Sequence, residues 1–210
     1  MTRIMILGAV LVALPLLNLA VRWIAIHLFG RAIGRHAVDR QPDTIQLTNA
    51  PANVWRKPEA AAALAKPLLS TGFEDAGTYT IAEMPGVIVR LMVQPRESQF
   101  ACVYEHPRAG TWLELVTRFA DSRIACFSTL PPTGLKPRPG HLMVNAPGSS
   151  PESLHSRSLE QRPMGVMAPV SRDRVVQLFQ QGYAESIAWR KQAGVSVAEV
   201  AAVASRRKAA

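Results

Sequence analysis

The chain has 210 residues, with 24 Lys and Arg against 15 Asp and Glu, giving a formal charge of +9. Two cysteines are too few for a disulfide-built scaffold, and an apolar content of 48% is too high for a disordered chain. The length suits one domain of ordinary size plus a terminal segment.

The N-terminus dominates the pattern. Residues 4–29 are almost uniformly apolar, and the stretch from Ile4 to Val21 carries no charge. That stretch is near the lower limit for a helix that crosses a bilayer. The run is long for a cleaved signal peptide, and no Ala-x-Ala exit follows it. The reading is therefore a single transmembrane anchor over residues 1–30, in contact with membrane lipid. Asn18 is a polar handle for a neighbouring helix, Arg22 can reach the headgroups, and Trp23 suits the interfacial belt. Only Arg3 precedes the span, whereas Arg22, Arg31, Arg35 and Arg40 lie in or after its second half. The basic excess predicts a single-pass protein of the cell membrane whose folded part faces the cytoplasm.

Residues 31–57 read as a basic juxtamembrane connector, with Arg31, Arg35, His36 and Arg40 in its first ten positions. Residues 58–200 read as an α+β domain. Pro58 followed by Glu59 marks a helix start, and Pro67 should kink or end that helix before Gly72. Strands are expected over 78–81, 87–93, 100–105, 112–119 and 124–130, with 141–145 as a short edge strand. The intervening turns leave no room for crossover helices, so the sheet should be antiparallel. Pairing 100–105 with 111–116 sets Cys102 opposite Glu114, and pairing 111–119 with 124–130 sets Cys126 opposite Thr117. The two thiols are then a strand apart, on opposite faces and unpaired. Residues 131–170 are rich in Pro, Gly and Ser and read as a long loop. A helix over 172–193 presents Val175, Phe179, Tyr183 and Ile187 on one stripe, fit to pack on the sheet. Ser196 and Glu199 form a capping-box pattern for a second C-terminal helix, and residues 201–210 make a basic tail.

Chemistry-bearing motifs are sparse. No phosphate-binding Gly-rich loop, His-Glu-x-x-His or Gly-x-Ser-x-Gly is present, so no cofactor or metal is expected. The basic residues concentrate at the two ends rather than in a groove, which argues against a nucleic-acid partner. On the sheet, Phe100, Cys102, Tyr104, Trp112 and Val116 share a face that is too apolar for plain solvent. The expected function is a membrane-anchored, non-catalytic protein-interaction domain, an accessory subunit of a membrane complex, with Tyr104, Trp112 and Asn18 as its interaction residues. The alternative is an enzyme centred on His106 in the Glu105–Arg108 turn, joined by Glu105, Asp121, His141 or His155.

Overall fold

The computed structural model describes Val21, Ile24 and residues 28–206. Those residues are α+β, with five helices and a seven-stranded, mostly antiparallel sheet. A first helix, α1, covers residues 28–39; the others are α2 (Pro58–Ser70), α3 (Pro151–Gln161), α4 (Arg172–Ala193) and α5 (Val197–Arg206). The strands are β1 (Leu47–Asn49), β2 (Glu74–Ile81), β3 (Ile88–Gln94), β4 (Gln99–His106), β5 (Gly110–Arg118), β6 (Ile124–Ser128) and β7 (His141–Asn145). Their spatial order is the chain order. Pairs β1 to β6 are antiparallel, and β7 joins β6 in parallel after a proline-rich connection.

The structure does not support the expected transmembrane span. Most of residues 4–29, including Asn18, Arg22 and Trp23, lies outside the described residues. Among the described residues, no helix is long and apolar enough to cross a membrane. The physical reason is visible in α1, where Arg31, Arg35 and His36 are exposed and interrupt the apolar run within two turns. The expected single-pass membrane assignment, and the cytoplasmic topology derived from it, are overturned.

The residues form two compact units. One comprises Pro42–Pro132 and Pro137–Trp189; the other gathers Thr133–Lys136 with the described parts of Met1–Gln41 and Arg190–Ala210. The first unit contains the sheet. Its interior strands are buried on both faces, which is why β3 and β4 read as near-continuous apolar runs rather than a clean alternation. One face packs Met92, Ala101, Val103, Leu113, Leu115, Ala125 and Phe127 beneath Ala61, Ala65 and Leu68 of α2 and Leu154 of α3. The other packs Tyr79, Val89, Leu91, Val93, Phe100 and Cys102 beneath Val175 and Leu178 of α4.

Local chemistry explains the helix ends. Pro58 opens α2, and the buried carboxylate of Glu105 on β4 accepts from the backbone N–H of Lys57 at 2.9 Å and of Arg56 at 3.2 Å. This supplies from across the fold the negative charge that a helix N-terminus favours. Pro67 does not stop the helix, which runs on to Ser70. The stop is a Schellman turn: Phe73 N–H bonds to Leu68 O and Gly72 N–H to Leu69 O, with Gly72 at φ +89°. Helix α3 lies within the stretch read as loop. Ser150 caps it by accepting from Ser153 N–H, and Pro151 takes its first position.

In the second unit, Gly34 of α1 sits against Val195 and Val200; a Cβ there would come 2.9 Å from Val195 Cβ. The capping box of α5 forms as expected. Ser196 Oγ accepts from Glu199 N–H, while Glu199 accepts from Ser196 N–H and Oγ–H, Lys136 N–H and Arg190 Nη1. Burial pushes the Glu199 carboxyl up, but these donors dominate and hold it down at about 2.

Candidate functional site

The β4–β5 hairpin sets Tyr104 directly opposite Trp112. Their rings stack with centroids 4.6 Å apart and planes 14° from parallel, and the Phe179 ring of α4 lies 6.1 Å from Tyr104. Cross-strand aromatic pairs of this kind add to sheet stability beyond the area they bury. Both side chains stay partly exposed, as does Glu114 two residues along β5.

Glu114 is the hub of this margin. Its Oε1 accepts from Trp112 Nε1–H at 3.2 Å and from Ser128 Oγ–H at 3.4 Å. Burial raises its carboxyl above the ordinary range, and the hydrogen bonds from Trp112, Tyr104 and Ser128 offset only part of that. Cys102, opposite Glu114, and Cys126, on the next strand, are buried free thiols pushed well up by burial and by the Glu114 charge. Tyr104 is raised by burial and then by Cys102, Glu114 and Cys126. The register of β6 differs by one residue from the expectation. Cys126 pairs with Val116, not Thr117, so both cysteines lie on the α4 face, with β5 between them. A one-residue slip reverses every side chain of a strand, and it moves Ile124 and Cys126 from the α2 face to the α4 face.

The residues named for an enzyme are not brought together. Glu105 is engaged at the start of α2, where its Oε1 also accepts from Arg56 Nε at 2.7 Å. Burial pushes Glu105 up, but the bonds from Arg56 and Lys57 hold it below the usual carboxylate range. His106 Nδ1 accepts from the N–H groups of Arg108 and Ala109, each at 3.1 Å, so the ring closes its own turn. Asp121 is in the turn at the other end of β5, about 27 Å away by strand length, and bonds to Arg123 at 2.7 Å. His141 begins β7 at that far end, and His155 is buried in α3 edge-on to Phe73.

A second polar cluster, unforeseen in the sequence, joins α4 to the sheet. Arg118 Nη2 bonds to both oxygens of Glu185 at 3.1 Å, and its Nη1 donates to Leu178 O. Arg138 adds a longer bond to Glu185 at 3.4 Å. Burial pushes Glu185 up, but Arg118, Gln181 and Arg138 bring it below its ordinary value. Gly182 makes room, because a Cβ there would lie 3.1 Å from Arg118 Nη1. The sequence carries only faint signals of it, Arg118 along a largely apolar strand face and Gly182 inside the α4 helix.

Among the described residues, no group of three or more His, Cys, Asp or Glu is placed to hold a metal ion. No protein-family model matches the chain, and neither a curated protein nor a solved structure shows significant similarity to it.

Proposed function

We propose that the chain is a non-catalytic protein-interaction domain that engages its partner at the Tyr104–Trp112 margin of the sheet. The supporting observation is an aromatic pair on two rigid central strands that keeps part of its surface exposed beside α4. Large, rigid aromatic rings on a preorganised support are the usual energetic centres of interfaces, because little side-chain entropy is lost on contact. The separation of Glu105, His106 and Asp121 supports the non-catalytic half of the reading, since no base, acid and nucleophile converge there.

The test is quantitative cross-linking with mass spectrometry on the full chain in extract of its source cells. Three forms are compared: the natural chain, Trp112→Gln, and Leu69→Ser as a control on exposed α2 surface. Thermal melting confirms that each is folded. The expected result is a set of cross-linked proteins depleted at least fivefold by Trp112→Gln and retained by Leu69→Ser. An identical set from all three forms would overturn the reading.

A further inference from the structure

We propose that Tyr104, Trp112 and Glu114 form a receptor for a single alkylammonium group, the lysine side chain of the partner, an assignment that rests on the interaction reading above. Among the described residues, the titratable groups electrostatically coupled to Glu114 are all acids, namely Tyr104, Cys102 and Cys126, and Arg118 farther along β5 is engaged by Glu185. The remaining polar neighbours, Trp112 Nε1–H and Ser128 Oγ–H, are neutral donors. None of the seven ion pairs among the described residues includes Glu114. Other acids recessed in this fold have cations: Glu105 has Arg56, Glu185 has Arg118 and Arg138, and Glu199 has Arg190. The missing complement at Glu114 is therefore one positive charge.

The surroundings select the kind of cation. The Trp112 and Ser128 donors both reach Oε1, and Tyr104 bonds to the same carboxylate. The inner faces of the two rings are taken up by their stack and Phe179 lies against Tyr104, so the outer face of the partly exposed Trp112 is the one that attracts a cation and covers an alkyl stem. The site offers one carboxylate and buried thiols that burial keeps protonated, not the several hard oxygens a divalent ion needs. An ammonium on a flexible stem fits, since it wants one carboxylate and an apolar sleeve.

The experiment titrates the full chain with n-butylammonium chloride, with n-butanol as the neutral control, and follows the indole N–H signal of Trp112 by NMR. The expected result is a saturable shift with n-butylammonium, at least tenfold weaker with n-butanol. Apparent affinity should fall at least tenfold from pH 8 to pH 4 as Glu114 takes up a proton. Glu114→Gln should abolish the shift while keeping the folded melting transition. Equal binding of amine and alcohol, or binding that survives Glu114→Gln, overturns the proposal. Loss of amine binding while cross-links stay sensitive to Trp112→Gln sinks only the ammonium assignment; cross-links insensitive to that variant sink the interaction reading itself.

Discussion

The two faces of the sheet are built on different terms. Beneath α2 and α3, the middle of the face is wholly apolar, and Ala101, Val103, Leu113, Leu115, Ala125 and Phe127 have no exposed surface. Its polar groups stand at the ends: Gln99 donates to Thr117 and Ser158, Glu105 serves the start of α2, and the buried Thr111 Oγ1 has no hydrogen-bond partner. Beneath α4 the same strands present Cys102, Tyr104, Trp112, Glu114, Arg118, Cys126 and Ser128. The first face is a close-packed interior in which volume decides stability. The second is partly apolar, partly ionic and partly open, and there electrostatics decides as much as packing.

The largest test of this contrast is truncation. Phe127→Ala on the α2 face should cost about 3–5 kcal/mol, whereas Val116→Ala, half-buried under α4, should cost under about 1.5 kcal/mol. Urea denaturation of both variants checks it, and equal losses would erase the distinction. Next comes the ionic link. Arg118→Met leaves Glu185 with the Gln181 amide and, as its cation, only the more distant Arg138, and should cost about 2–3 kcal/mol, read by thermal melting.

Acid titration should then separate Glu105 from Glu114 by sign. Glu105 is held below its unfolded value, so its contribution is present above the unfolded pKa and is lost as pH falls through the folded one. Glu105→Gln should lower stability at pH 7 by about 1 kcal/mol and flatten the acid limb. Glu114 is raised, so its contribution is complete below the unfolded pKa and disappears as pH rises through the folded one. Glu114→Gln should leave stability unchanged at pH 3 and increase it at pH 8. Chemical denaturation at the two pH values measures both.

The smallest effect is at Gly182. Alanine there gains about 1 kcal/mol of helix propensity but crowds Arg118, so alone it should change stability by less than about 0.5 kcal/mol. Combined with Arg118→Met, the full gain should appear. Simple additivity of the two variants would show that the glycine does not serve the arginine.

Much of the fold was legible because local signals were strong. The stripe Val175, Phe179 and Tyr183 located α4 at its observed limits, and Ser196 with Glu199 announced α5. Strand β1 was missed because three residues carry too little periodicity. Helix α3 was missed because the composition of residues 131–170 masked the local signal of Ser150, Pro151 and Glu152. The slip in β6 has a definite cause: Ser122 takes a left-handed conformation at φ +68° with no glycine to announce it. The turn is thereby one residue different from the one assumed, and both Phe119 N–H and Ser122 N–H are used within it. Of the candidate site, the Tyr104–Trp112 pairing and the Cys102–Glu114 register were readable from alternation. The isolation of Glu114 from any cation was not, because it depends on which strand lies beside β5.

Strand order equal to chain order also bears on how the protein is made. Each strand finds its partner next along the chain, and closing the pairs from β2 to β6 orders only short turns, so that part of the sheet can assemble in step with synthesis. Helix α4 works at the opposite range: Gln180 reaches Ile45 O across 135 positions and Tyr183 reaches Pro42 O across 141. A chain that has emerged only as far as Ser171 therefore holds every strand but lacks the helix over Val89, Leu91, Val93 and Phe100. During that interval the bare strip is a sticky surface for neighbouring nascent chains, and shielding it falls to chaperones.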